Sequence, residues 1–242
     1  MGEVGSTFIA ALLSIIGINI VLAGDNAVVI ALAARGLPKH LARRAIVYGT
    51  VLAVALRIVL TALVVMLFNI PFVKAIGGLA LLVIAWRLGT QDDDDPDVAS
   101  TGELRTAVLT ILSADLVMSL DNVLAVAARA NGDFRLIVLG LMISIPIVMG
   151  GATVLLKVLH KHPWLVWIGV ALVAWTGVQL FFVDARVHAF LRDADRGFHM
   201  SRGIELAVAA IMTILLIAGS YLHRRHNKSK ALLKHEGSTA EE

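Results

Sequence analysis

Two short runs hold the polar chemistry of this chain. "VLAGDNAVVIALAARGLP" sets Asp25 and Asn26 inside a long apolar stretch, and "DLVMSLDNVLAVAARANG" does the same for Asp115, Asp121 and Asn122. On a helix advancing about 100° per residue, Asp115, Met118 and Asn122 share one stripe, and Asp121 lies within about 120° of Asp115. Asn19, Asp25 and Asn26 repeat that arrangement, with Leu22 where the second run has Met118. If these runs cross a bilayer, each charged carboxylate costs roughly 2.5–3.5 kcal/mol at a helix centre. A bound cation would offset that cost. Asp and Asn oxygens suit a hard ion, Mg²⁺, Ca²⁺ or Mn²⁺, rather than Zn²⁺ or Cu⁺. The chain has no Cys, and its eight His residues (40, 160, 162, 188, 199, 223, 226 and 235) fall in loops, at ends of apolar runs or in the tail. Met118 would add one thioether and tilt the choice towards Mn²⁺, core packing being its competing role.

Arg57 stands at mid-depth in another apolar run and has no counterpart in the matching run of the second half. Asp25, Asp115 and Asp121 sum to minus three and Arg57 adds one, so a divalent cation would neutralise the pocket. In the empty site Arg57 or protons could hold the carboxylates, which opens a route to metal–proton exchange.

These residues need helices to carry them. With 58% hydrophobic and 16% charged residues in 242, the chain reads as a polytopic, all-α membrane protein. Apolar runs long enough to span a bilayer lie at about 7–33, 44–68, 70–88, 105–129, 135–157, 163–183 and 203–222. The first keeps its polar pair at mid-depth and lacks a basic leader, so it is expected to be a retained helix. Lys and Arg concentrate in the 35–44 loop, near 87 and 105, near 157–161 and in the tail, which predicts an outside N-terminus and an inside C-terminus in a plasma membrane, the bacterial inner membrane. The basic character thus reports topology, and no nucleic-acid partner is expected.

Placing Asp25-Asn26 over Asp121-Asn122 puts Asn19 on Asp115 and Gly36 on Gly132. "RAIVYG" from Arg44 then resembles "RLIVLG" from Arg135, and "IPFVKAIGG" from Ile70 resembles "HPWLVWIGV" from His162. Two units of three helices each must enter the membrane from opposite sides. The expected organisation is therefore a first three-helix repeat (1–90), an acidic cytoplasmic linker (91–104), an inverted second repeat (105–184), a polar loop (185–202), a seventh helix (203–222) and a basic cytoplasmic tail (223–242). Inverted repeats place substrate at the midplane where they meet, on discontinuous helices whose backbone turns inward. Gly24 and Ser119, beside the acids, are the expected breaks.

At these residues the sequence resembles the TerC family of integral membrane proteins, most closely its bacterial manganese-exporter branch. The resemblance rests on "NIVLAGDNAVVIALAARGLP" and "DLVMSLDNVLAVAA", and the hydrophobic layout agrees over about residues 5–222. It implies efflux of Mn²⁺ from the cytoplasm, with Asp25, Asn26, Asp115, Asp121 and Asn122 in the transport site. It also implies kinship with a broader superfamily that includes lysine exporters.

The resulting expectation is a secondary transporter exporting Mn²⁺ as substrate, with no permanently bound cofactor. No Walker A sequence is present to drive pumping by ATP, and no nucleophile–base pair stands at membrane depth, so no enzymatic activity is expected. Alternatives are a Ca²⁺ or Mg²⁺ transporter, or a metal-donating subunit acting with the protein-export machinery. Partners beyond the metal and the bilayer would be that machinery or further copies of the chain.

Overall fold

The computed structural model describes residues 9–10, 12–17, 24–63, 72–91, 101–130, 133–184, 186–187 and 202–239. Within its helices, side chains at 101, 102, 120, 121, 124–130, 202, 205, 227, 228 and 230–239 are not described. The described chain is helical, with α1 at Gly24–Ala34, α2 at Lys39–Ala62, α3 at Val73–Thr90, α4 at Thr101–Ala130, α5 at Phe134–Lys161, α6 at Leu165–Val183 and α7 at Arg202–Thr239. Residues 9–10 and 12–17 are helical too. Among the described residues no strand occurs, and a helix satisfies its backbone groups within its own segment, as an apolar medium requires. By length and composition α2, α3, α5, α6 and the Leu206–His226 part of α7 can cross a membrane.

Several boundaries differ from the sequence reading. The first apolar run is helical at 12–17 and again from Gly24, and residues 18–23 lie outside the described set. α4 begins at Thr101, inside the expected linker, with Glu103 in its first turn, where a carboxylate complements the helix dipole. The expected break at Ser119 is absent: α4 is continuous from Thr101 to Ala130. Ser119 donates its hydroxyl to the Asp115 carbonyl one turn back, so the side chain is satisfied without opening the helix. α7 does not stop at Leu222 but continues to Thr239, so the expected basic tail is largely helical.

α3 packs most extensively on α6, α2 on α4, and α1 and α2 on α5. Glycines set the closest approaches. A Cβ on Gly78 would lie 2.8 Å from the Phe181 backbone nitrogen and collide with the Gly177 carbonyl, and one on Gly177 would lie 2.9 Å from the Gly78 carbonyl. Gly49 of α2 instead receives the Ile111 side chain of α4, and Gly140 of α5 the Ile15 side chain. Both isoleucines are fully buried.

α3 is held at both ends by charge. The buried Asp184 carboxylate, just past α6, accepts from the Ala75 N–H in the first turn of α3 at 3.2 Å, and from the Arg186 N–H at 2.9 Å. At the other end the buried Arg35 guanidinium donates through Nη2 to the carbonyls of Leu88 and Gln91, both at 2.9 Å. An anion at the N-terminus and a cation at the C-terminus each complement the macrodipole. Phe72, which caps α3 in a left-handed conformation at φ 61°, is the one non-glycine residue with positive φ among the described residues.

Further contacts gather helix ends onto the Arg35 face. The His160 ring at the end of α5 lies 3.1 Å from the Arg35 carbonyl through Nε2. Trp86 of α3 packs on His223 of α7, and Trp167 of α6 on Tyr221. Arg35, Arg87, Lys157, Lys161, Arg224 and Arg225 thus come to one side, whereas Lys74, Arg135 and Arg186 belong to the Asp184 side.

Gly78→Ala should destabilise the protein by about 1–3 kcal/mol, the usual range for overpacking a tight contact. The check is the thermal midpoint in detergent. Gly150→Ala, where an added Cβ meets nothing within 4 Å, should hold that midpoint or raise it slightly, since Ala favours the helix interior over Gly.

Candidate functional site

The approach of α2 and α4 at Gly49 and Ile111 brings the next turns of the two helices together. Four residues beyond Ile111 stands Asp115, and eight beyond Gly49 stands Arg57. Arg57 donates through Nη2 to Asp115 Oδ1 in a buried ion pair, the two side chains being 7% and 9% exposed. The Arg57 Nε, also buried, has no hydrogen-bond partner among the described residues. Thr61 donates its hydroxyl to the Arg57 carbonyl at 2.7 Å.

Asp25 stands in the first turn of α1, half-buried, where its Oδ1 accepts from the Asn26 N–H at 2.8 Å. It lies within Coulombic reach of Arg57, and Asp115 feels Asp25 in turn. The three charged groups therefore form one electrostatic unit at the meeting of α1, α2 and α4. Asn26 is 3% exposed, and neither its Oδ1 nor its Nδ2 has a hydrogen-bond partner among the described residues. A buried unsatisfied polar group costs about 1–3 kcal/mol, so this side-chain amide calls for a partner from beyond the described residues, protein or ligand.

The remaining predicted residues divide three ways. Asn122 and Ser119 are buried on α4 with Asp115. Met118 is buried in the main apolar cluster with Ile111, Ala114 and Val117. Asn19 and the Asp121 side chain lie outside the described residues. Among the described residues no three His, Asp or Glu side chains meet in a metal-binding group. What is described is two carboxylates, one guanidinium and an orphan amide, with oxygen donors of the type a hard cation takes.

A cavity of about 440 Å³ opens on the Arg35 face. Gly36, Arg87, Thr90, Gln91, Glu103, Thr106 and Thr110 are among the residues that line it, so its wall mixes hydroxyls, an amide and both signs of charge. Sequence reasoning treated Arg35 as a loop charge, gave Asp184 no role and missed the burial of both. The signal available was their position directly at the ends of apolar runs, where a charge meets the terminus of a neighbouring helix.

Residues 4–228 match the family model described as "Integral membrane protein TerC family". The membrane protein YjbE of Bacillus subtilis is 42% identical over 184 residues, covering 76% of this chain and 84% of its own length. A second membrane protein of that organism, YkoY, is 30% identical over 190 residues, 70% of this chain and 58% of the relative. No solved structure matches.

Removing one partner of a buried pair strands the other charge, at a cost of about 3–5 kcal/mol, whereas replacing both by apolar groups is often neutral. Asp115→Leu should thus lower the unfolding midpoint sharply, and Asp115→Leu combined with Arg57→Met should restore most of it. Additive losses in a double-mutant cycle, read by thermal unfolding in detergent, would contradict the pairing.

Proposed function

The chain belongs to the TerC family of integral membrane proteins, and from that premise we propose that it is a secondary transporter exporting a divalent metal, Mn²⁺ foremost, by alternating access. The observation that carries the reading is the Arg57–Asp115 pair with Asp25 and the Asn26 side-chain amide, which has no partner among the described residues, polar groups sunk in an apolar helical bundle. Metal is substrate here, not a resident cofactor. In the empty carrier Arg57 neutralises Asp115. A divalent cation taking Asp115 and Asp25 as ligands, with the Asn26 carbonyl oxygen, would displace the guanidinium and satisfy the amide. Asp121, Asn122 and Asn19 complete the proposed donor set.

The inverted-repeat organisation has support in two reciprocal contacts. Aligning Asp25 with Asp121 carries Ile15 onto Ile111, and aligning Arg44 with Arg135 carries Gly49 onto Gly140. Gly49 faces Ile111, and Gly140 faces Ile15. Helix pairs exchange likewise: α2 on α4 with α5 on α1, and α3 on α4 with α6 on α1. Seven crossings follow when the first apolar run counts as one. α7, without a mate, rests on α3 and α6, which the exchange swaps.

The bias of basic residues towards the Arg35 face supports placing that face in the cytoplasm. Its cavity of about 440 Å³ is then the inner mouth, with Glu103 at the rim to attract cations. Mn²⁺ is preferred on the resemblance to the manganese-exporter branch. Ca²⁺ and Mg²⁺ are the competing cargoes, because Met118 among apolar side chains leaves the described donors all oxygen.

Asp25→Asn keeps shape but removes an anionic ligand, and should cut Mn²⁺ efflux from proteoliposomes by at least on the order of tenfold, since even outer-shell changes at metal sites cost 10–100-fold. Normal flux in a variant of wild-type stability would remove Asp25 from the site. Competition by Ca²⁺ and Mg²⁺, repeated with Met118→Leu, ranks the cargoes and tests the sulfur. Coupling is read separately with a pH dye in the lumen. Arg57→Gln removes the cation that balances Asp115, so the empty site must draw more protons per Mn²⁺ moved. An unaltered proton count in that variant would make Arg57 structural.

A further inference from the structure

Where the membrane-crossing part of α7 ends, it meets the start of α6. Trp167 and Tyr221 pack edge to face there with ring centroids 5.5 Å apart. Between them and Arg224 and Arg225 lies a cavity of about 290 Å³. A second hollow of about 400 Å³ shares Arg225 and is lined by Leu222, His226 and Ser229.

The sequence of groups along α7 matches the depth profile of a bilayer surface. Leu222 and Tyr221 are exposed at the end of the apolar stretch, and Trp86 and the exposed Trp164 lie at the same end of the bundle. Tyr and Trp rings favour the level of the lipid headgroups. Arg224 and Arg225 follow Tyr221 by three and four residues, hence on the same helix face one turn further out. Guanidinium groups at that depth meet phosphate oxygens, which they bind in a two-pronged geometry. From Arg224 to His235 the chain has no acidic residue, and Lys228, Lys230 and Lys234 continue the positive stretch on a helix running to Thr239. Basic clusters directly beyond a crossing attract anionic lipids.

We propose that the seam between α6 and α7 binds an anionic phospholipid through its phosphodiester headgroup. Arg225, with Arg224 beside it, holds the phosphate, the Tyr221 hydroxyl reaches the headgroup, and Trp167 and Leu222 lie along the upper acyl chain. The apolar part of this wall selects a lipid over a soluble phosphate, which would gain nothing from Trp167 and Leu222.

The test uses the full-length protein reconstituted in nanodiscs with equal phosphatidylglycerol and phosphatidylcholine, then released in mild detergent for native mass spectrometry. The wild type should retain phosphatidylglycerol over phosphatidylcholine on the order of tenfold, as two surface cations predict. R224Q/R225Q should bring that ratio close to one, and R224K/R225K should keep an intermediate preference. R225Q alone serves if the double variant fails to fold, and should lose part of the preference at a wild-type unfolding midpoint. Millimolar glycerol phosphate should leave the retained lipid in place. Equal retention of the two lipids by the wild type, an unchanged ratio in stable R225Q, or displacement by glycerol phosphate would each overturn the proposal.

Discussion

The buried ion pair between Arg57 and Asp115 constrains most of what surrounds it. In a medium of low dielectric neither charge is stable alone, so α2 and α4 must stay in the register that joins them. Gly49 permits this by letting Ile111 come against the α2 backbone. Apolar residues seal the pair on either side: Ile111, Ala114 and Met118 belong to the main cluster, while Leu60 and Val123, with Leu56, form a smaller one further along. Asp25 approaches from α1, within Coulombic reach of Arg57. The pair is thus both a structural lock and the counter-charge of the polar site.

Around that lock, α3 supplies a fixed reference. Its dipole is answered at each end by a buried charge of the opposite sign, Asp184 at the start and Arg35 at the finish. Those charges come from the segments following α6 and α1, so the ends of three helices are set against each other by hydrogen bonds instead of by apolar contact alone. The His160 ring adds a fourth segment through the Arg35 carbonyl. The two faces of the bundle are organised differently as a result, one around a carboxylate and the other around a guanidinium.

What could be read from the sequence was whatever stood out against hydrocarbon. Asp25, Asn26, Asp115 and Arg57 are conspicuous because a polar group in an apolar run is expensive, and the sole cation at mid-depth had to find an anion. Which carboxylate it would choose was illegible, since that depends on how α2 crosses α4. Arg35 looked like an ordinary loop charge and Asp184 had no assigned role, because their burial comes from helix ends distant in sequence. Ser119 suggested a break, but a hydroxyl bonded one turn back leaves the helix intact. The extension of α7 beyond Leu222 was hidden because hydropathy falls at the membrane surface, whereas Lys, Ala and Leu continue to favour helix. The reciprocal glycine contacts were half legible: the two "RxIVxG" segments showed the glycines, not the isoleucines they would meet.

The glycine seam between α3 and α6 has a mechanical consequence. Backbones that touch carbonyl to glycine cannot slide past one another without collision, and α7 braces both helices from outside. These three pack as one block. Relative movement of helices is left to α1, α2, α4 and α5, where the glycine contacts Gly49–Ile111 and Gly140–Ile15 are to side chains and the Arg57–Asp115 pair keeps α2 and α4 moving together. The three charged groups of the polar site, Asp25, Arg57 and Asp115, all lie outside that block.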